Sequence, residues 1–308
     1  MKSFWKREIG FIPTTEWEPY CWVNVEIPTD DDKRYLFDEL GVPEAFYNDI
    51  EDVDERPRIE FEDGWFFILL RVPYMERDSS FPFTTVPVGL MFKDDVFASI
   101  CFYRTEVIPD FIQFTQRKGI IVSDHFDLVL RIMLSSSVWF LKYLKAINQD
   151  TKLAETRLER SIKNEELQAL LRIEKSLVYF TTSLKGNDIL LHRIKNLRNY
   201  RDTYNPELLE DVEIELRQAQ ETTSVYSDIL SGMMDAYASV ISNNLNMVMK
   251  RLTSISIILM IPTLVASFYG MNLPNGLENS PWAFWMVVLF SFLVVALVVR
   301  QFIRQSWF

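Results

Sequence analysis

The sequence is poor in the residues that metal sites and disulfide scaffolds require. It has two cysteines, Cys21 and Cys101, and two histidines, His125 and His192. Two cysteines exclude a disulfide-dense scaffold and a zinc site built from four cysteines, and we expect both to be free thiols of a cytosolic domain. The histidines are isolated in the sequence. Such residues are more often surface or fully hydrogen-bonded side chains than metal ligands.

Catalytic signatures are also missing. The chain has no P-loop, no Gly-x-Ser-x-Gly, no His-Glu-x-x-His and no Cys-x-x-Cys. The sequence therefore predicts that the protein is not an enzyme, needs no organic cofactor and is not an ATP-driven pump. The net charge of −11, from 32 basic and 43 acidic residues, argues against a nucleic-acid partner, because a phosphate backbone requires a basic surface.

Two long apolar runs lie near the C-terminus. Residues 252–271 and 282–299 contain no charged residue. Each run is about as long as the ~20 residues that a helix needs to cross a membrane. Their position excludes a signal peptide. The sequence therefore predicts an integral protein of the cell (inner) membrane with two transmembrane helices.

Basic residues flank the two runs on their outer sides. Lys250 and Arg251 precede the first run, and Arg300 and Arg304 follow the second, whereas the short connection between the runs has no Lys or Arg. By the positive-inside rule, both chain termini lie in the cytoplasm and the connection lies outside. Most of the acidic excess lies before the first run, where it is suited to attracting cations rather than an anionic leaflet.

The chain divides into an α/β cytoplasmic domain, long helices and a two-helix C-terminal transmembrane hairpin. Short apolar runs rich in β-branched and aromatic residues indicate strands in the first part. From residue 123, proline and glycine become rare and the pattern is helical, with an expected interruption at Gly186. The predicted segments are an α/β domain (1–121), a cytoplasmic helical segment (122–204), a long stalk helix continuing into transmembrane helix 1 (205–271), an outer loop (272–281), transmembrane helix 2 (282–302) and a cytoplasmic tail (303–308).

The stalk helix has a clear start and carries two different stripes. Asn205 is a suitable N-cap, and Pro206 suits the first helical position. One stripe, read in steps of three and four, is an apolar seam that we expect to pack on other helices. The second we name the polar stripe. Its members are Asp235, Ser239, Ser242, Asn246, Met249, Thr253, Ser256, Met260, Thr263, Ser267 and Gly270.

The polar stripe has two interpretations. Small side chains permit tight helix packing in a membrane, and hydroxyl groups there seek either helix contacts or water. In the second interpretation, Asn246, Thr253, Ser256, Thr263 and Ser267 line a water-filled path. Methionines at 249 and 260 would then be constrictions, with Leu252, just off the stripe, as a further one. Two spans cannot enclose such a path, so several copies of the chain would have to surround it.

The first apolar run ends in a motif that carries a resemblance. The stretches 250–253 (Lys-Arg-Leu-Thr) and 261–272 (Ile-Pro-Thr-Leu-Val-Ala-Ser-Phe-Tyr-Gly-Met-Asn) are followed by one more span. In this context the chain closely resembles the CorA family of divalent-cation transporters. The tail and the loop depart from the family pattern, since only Arg300 and Arg304 precede Trp307-Phe308, and Pro274 and Glu278 are loose counterparts of the usual loop residues.

The resemblance implies a homopentamer with a funnel-shaped cytoplasmic domain. It implies that this assembly transports hydrated Mg²⁺ across the membrane, with Co²⁺ and Ni²⁺ as further candidate ions. Gly270, Met271 and Asn272 would form the ion entrance, Asn246 an inner polar ring, and Met249 with Leu252 a hydrophobic gate. The family also has regulatory Mg²⁺ sites between subunits that close the channel at high internal Mg²⁺. Asp211 and Asp235 fall at matching positions, and Asp94 and Asp95 are candidates for the partner acids.

Two other functions remain open at this level. A Zn²⁺ transporter of the same superfamily is one, although zinc-transporting relatives more often carry Gly-Ile-Asn where this chain has Gly270-Met271-Asn272. A membrane-anchored sensor or scaffold is the other. The sensor would conduct no ions and would have no need of the polar stripe.

Overall fold

The computed structural model describes residues 1–76, 82–160, 164–197, 205–271, 276 and 280–305. The chain forms two compact units, Met1–Gly232 and Met233–Phe308. A single helix of 64 residues, Pro206–Tyr269, contributes to both. The order of elements, an α/β domain followed by long helices and two apolar C-terminal helices, confirms the predicted fold class.

The first unit is built on a seven-stranded sheet with the strand order β2-β1-β3-β7-β6-β5-β4. Neighbouring strands are antiparallel except β3 and β7, which are parallel. Two-residue turns join β4 to β5 and β6 to β7, and their first residues, Asp63 and Asp94, both have a φ of +50°. The strands are β1 Lys2–Glu8, β2 Gly10–Thr14, β3 Trp22–Glu26, β4 Arg58–Glu62, β5 Trp65–Met75, β6 Phe83–Lys93 and β7 Val96–Cys101.

Helices cover both faces of this sheet. Phe46 of α2 stacks on Phe67 of β5 at a centroid distance of 4.5 Å on one face. On the other face, Phe126 of α4 meets Phe66 of β5 edge-on at 5.4 Å. The central strands are therefore buried on both sides. The helices are α1 Asp30–Arg34, continued by a π-helical turn Tyr35–Glu39, α2 Glu44–Glu51, α3 Val107–Lys118, α4 His125–Arg160, α5 Asn164–Lys195, α6 Pro206–Tyr269 and α7 Ala283–Arg304.

The expected interruption at Gly186 is wrong, because α5 runs unbroken from Asn164 to Lys195. Gly186 lies against Pro57, and a Cβ at this position would stand 2.8 Å from Pro57 Cγ. The next residue, Asn187, donates to Arg71 O at 2.7 Å and accepts from Arg71 N at 3.0 Å. The strand β4 does not extend as far as Arg71, so it cannot pair with the backbone N–H and C=O of that residue. The two bonds from Asn187 satisfy these backbone groups instead. The glycine permits a close approach of helix and sheet rather than a break.

The helix α6 starts where its sequence indicates. Asn205 Oδ1 accepts from Glu207 N at 3.0 Å, which caps the first turn. The apolar seam is buried along the part of α6 that belongs to the first unit, as expected for a packing face. Its buried members are Val212, Leu216, Ala219, Thr223 and Leu230.

Candidate functional site

The second unit exposes an unusual amount of apolar surface. Leu259 and Phe268 on α6 are 65% and 66% exposed, and Leu289 and Phe292 on α7 are 70% and 69% exposed. Both helices are long and apolar enough to cross a membrane, and almost none of their apolar windows is buried inside the chain. A core helix of a soluble protein would be mostly buried, so these helices are suited to lipid as their solvent.

The structure places the predicted path-lining residues on one exposed face of α6. All of them, together with the remaining members of the polar stripe, lie on the surface of the single chain. Met249 and Met260 are 52% and 65% exposed, and Leu252 is 58% exposed. Among the described residues, no other element of the chain therefore buries the stripe. The exposed path-lining residues are Asn246, Met249, Leu252, Thr253, Ser256, Met260, Thr263 and Ser267.

Hydroxyl groups on the stripe donate their protons to their own helix. Ser256 Oγ donates to Leu252 O at 2.9 Å, and Thr263 Oγ1 donates to Leu259 O at 3.0 Å. A hydroxyl has one proton and two acceptor lone pairs. With the proton engaged by the backbone, the outward side of each oxygen can only accept. At Ser256 and Thr263 the face thus presents acceptors to whatever lies against it.

Small-residue packing occurs on a different face. Ser254 on α6 and Ala283 and Ser291 on α7 are buried, and Ser254 Oγ donates to Lys250 O at 2.8 Å. The burial of these small side chains distinguishes this face of each helix from the exposed stripe. The sequence interpretation did not single them out.

The helix α6 ends at the predicted ion entrance. Tyr269 is its last residue, and Gly270 N donates to Ala266 O at 2.9 Å. A Cβ on Gly270 would stand 3.3 Å from the same carbonyl oxygen, which is tighter than ordinary contact. Met271 is 48% exposed. Asn272 lies outside the described residues, as do Pro274, Glu278 and the tail residues Trp307 and Phe308.

The predicted regulatory acids lie on separate elements. Asp211 and Asp235 are exposed on α6, and at ~1.5 Å per residue they stand ~36 Å apart along that helix. Asp94 and Asp95 form the turn between β6 and β7. Within the described ranges of the chain, no group of three or more His, Cys, Asp or Glu residues is placed to hold a metal ion. A site built from these acids would need ligands from a second chain.

The turn at Asp94 is held by the histidine of α4. His125 Nε2 donates to Asp94 O at 2.8 Å, and Arg7 donates to His125 Nδ1 at 2.7 Å. The ring also stacks on Phe92 and Phe97. Burial lowers the pKa of His125 and lowers the pKa of Arg7 to about 10. The expectation of a fully hydrogen-bonded histidine is confirmed at this position. Cys21 and Cys101 are free, as predicted, and both are buried.

Two long apolar helices whose surface is exposed are typical of a membrane protein. The chain belongs to the family described as CorA-like Mg²⁺ transporter protein, whose family model matches residues 17–304. This confirms the resemblance found in the sequence. Transport is the activity of this family, which is not one of enzymes.

Individual relatives agree with this family. The chain is 28% identical to the cobalt/magnesium transport protein CorA of Thermotoga maritima, over 96% of this chain and 86% of that protein. It is 25% identical to the protein of the same name from Methanocaldococcus jannaschii, over 93% of this chain and 90% of that protein. The complete structure of the CorA magnesium transporter from Methanocaldococcus jannaschii is similar in fold, with a TM-score of 0.86 at 23% identity, over 100% of this chain and 99% of that one.

Proposed function

We propose that this chain is one subunit of a homo-oligomeric channel that conducts hydrated Mg²⁺ down its electrochemical gradient. The observation that carries the proposal is the polar stripe, which continues through residues 252–269 of α6, where the other exposed side chains are apolar. Polar groups in a membrane face a protein interior or water. Several copies with their stripes turned toward a common axis would form a wet path, and the family relationship favours five copies.

The chemistry of the stripe supports a cation that keeps its water shell. Water molecules around a cation turn their oxygens inward and their hydrogens outward, so a matching wall presents acceptors. Ser256 and Thr263 present such acceptors because their own protons are engaged. Mg²⁺ gives up its water reluctantly and prefers oxygen ligands. Gly270, Met271 and Asn272 would bind the hydrated ion at the entrance, and Met249 with Leu252 would narrow the path inside.

We propose an orientation with both termini in the cytoplasm, supported by the basic residues on the outer flanks of the spans. In this orientation, cytoplasmic Mg²⁺ would bind between subunits and hold the channel closed. Asp211 and Asp235 on α6 and the turn acids Asp94 and Asp95 supply exposed carboxylates, which are the ligand type that Mg²⁺ takes. Since these acids are dispersed in one chain, neighbouring subunits would complete each site.

Flux into liposomes tests the proposal. Purified protein should admit Mg²⁺ without ATP, faster when the interior is negative, since a membrane potential supplies ~2.3 kcal/mol per charge per 100 mV. Asn272→Ala and Gly270→Ala should each lower the influx about tenfold, equivalent to ~1.4 kcal/mol. Gly232→Ala is the matched control, because a Cβ there meets nothing within 4 Å. Unchanged influx in both entrance variants would refute the entrance assignment.

The same vesicles decide between the remaining functions. Competition among Mg²⁺, Co²⁺, Ni²⁺ and Zn²⁺ reports ion preference, and preferential inhibition by Zn²⁺ would favour the zinc transporter. An assembled protein that admits none of these ions would instead favour the membrane-anchored sensor or scaffold.

A further inference from the structure

Four basic residues stand out in the second unit. Lys250 and Arg251 lie on α6, Arg300 and Arg304 lie on α7, and all four are exposed. Between residues 236 and 277, and again from residue 279 to 308, the sequence contains no Asp or Glu. The local charge of this part of the chain is therefore positive, although the whole chain has a net charge of −11.

The two basic pairs lie at the same depth along the hairpin. Arg251 lies 18 residues before Tyr269, the last residue of α6. Arg300 lies 17 residues after Ala283, the first residue of α7. At ~1.5 Å per residue, each distance is ~26 Å. All four basic residues therefore lie toward the end of each span that is opposite to the connection between the helices. A hydrocarbon core is ~30 Å thick, so this end falls at the lipid headgroups.

The basic residues of α6 border the buried face of the hairpin. Lys250 and Arg251 precede the buried Ser254 by four and three residues, so both are its neighbours on the helix surface. Arg251 is two residues from Thr253 of the stripe, which places it on almost the opposite side of the helix. Lys250 is three residues from Thr253 and therefore lies between the buried face and the stripe. Of the two charges, Arg251 thus faces away from the proposed path.

Exposed apolar side chains lie next to these charges. Ile255 on α6 is 50% exposed, and Leu297 and Ile303 on α7 are 57% and 63% exposed. A soluble phosphate would gain nothing from such neighbours. A lipid would place its phosphate on the basic groups and its acyl chains on the leucine and isoleucine side chains.

We propose that Lys250, Arg251, Arg300 and Arg304 form a binding site for the phosphate headgroup of an anionic phospholipid. Guanidinium groups bind phosphate oxygens in a bidentate manner, and basic pockets between membrane helices are suited to such headgroups. The bound lipid would bridge α6 at Arg251 and the C-terminal end of α7. In the proposed orientation it belongs to the cytoplasmic leaflet.

Lipid retention by the full-length protein tests this site. The protein is incubated with phosphatidylglycerol or phosphatidylcholine in detergent, and bound lipid is measured by native mass spectrometry. Wild type should retain phosphatidylglycerol at about tenfold lower concentration than phosphatidylcholine, and the double variant Arg300→Gln/Arg304→Gln should abolish this preference. Lys145→Gln/Lys152→Gln removes the same charge from exposed positions of α4 and should leave the preference unchanged.

A second variant guards against a folding defect. Arg300→Lys/Arg304→Lys keeps the charge and the membrane orientation but loses the bidentate geometry, and it should retain phosphatidylglycerol about threefold less well than wild type. Equal retention by wild type and both arginine variants would overturn the proposal. Displacement of the lipid by millimolar inorganic phosphate alone would overturn it too, because the site would then accept a soluble anion. The readout is independent of ion flux, so loss of the transport proposal would leave this result standing.

Discussion

Gly186 and Asn187 show how two adjacent residues can fix the position of a long helix. The glycine brings α5 against Pro57, and the amide of Asn187 completes the hydrogen bonding of Arg71. Arg71 is itself buried, and its guanidinium donates to Thr85 O at 2.9 Å. Burial lowers the pKa of this arginine. The contact between the Asn187 amide and the Arg71 backbone is specific, because without it the polar groups of both residues would be buried without a hydrogen-bond partner.

Gly186→Ala should lower the free energy of unfolding by about 1–3 kcal/mol, since the new methyl group overlaps the rigid Pro57 ring. Gly232→Ala is the control on a helix with open space around it. It should be neutral or stabilise by about 0.5–1 kcal/mol, because alanine favours helix over glycine. Thermal unfolding of the full-length protein in detergent measures both. Equal effects of the two substitutions would contradict the packing role given to Gly186.

The helix α6 is a single element with two functions along its length. Its first part is held by a buried seam, and its second part presents the polar stripe and the hairpin face on different sides. Thr253 and Ser254 are neighbours in sequence, yet the first is exposed and the second is buried. Adjacent hydroxyls on this helix therefore serve different roles, which makes them a natural pair for comparison.

The double variant Thr253→Val/Thr263→Val should lower Mg²⁺ influx about tenfold, or ~1.4 kcal/mol, because valine keeps the shape of threonine but removes the acceptor oxygen. Ser254→Ala is the control within the same span and should change influx less than twofold, or by under ~0.4 kcal/mol. Liposome flux at matched protein content measures both. A larger loss in Ser254→Ala than in the threonine variant would show that hairpin packing, rather than the stripe, limits conduction.

The sequence predicted those elements whose residue pattern agrees with their burial in the folded chain. The strands β5, β6 and β7 are buried on both faces and read as apolar runs, and α6 has its Asn205 cap in place. It did not predict β1, where Phe4 and Trp5 lie among charged residues, or the short edge strand β2, which contains Pro13. Gly186 was misread because only the folded chain brings Pro57 beside it. The polar stripe could be found from the helical periodicity of the sequence. The acids that would complete a Mg²⁺ site with Asp211 could not, because in the proposed assembly they depend on contacts between chains.

At the scale of the whole molecule, the separation of the predicted regulatory acids links the proposed regulation by Mg²⁺ to assembly of the subunits. Asp211 and Asp235 are too far apart on α6 to share an ion, and described residues of one chain offer no metal-binding group of three. Binding of Mg²⁺ between subunits would therefore stabilise the oligomer as a ligand that binds only the assembled state.

Mg²⁺ should protect the assembled wild-type protein from proteolysis, and Asp211→Asn should raise the Mg²⁺ concentration for half protection about tenfold, since a lost carboxylate ligand is worth ~1.4 kcal/mol. Glu210→Gln removes the adjacent exposed charge on α6, about 100° around the helix, and should leave the midpoint unchanged. Oligomeric mass in detergent is measured alongside. Equal shifts in both variants would indicate general charge screening instead of a site at Asp211.

The parallel pairing of β3 with β7 determines when the sheet can form during synthesis of the chain. Trp22 pairs with Phe97, so the first three strands cannot join the rest of the sheet until the ribosome has released β7. This event comes long before the first apolar span at residue 252 is synthesised. The sheet can therefore close while the nascent chain still lacks its apolar spans, and insertion of these spans can begin with a folded sheet already attached.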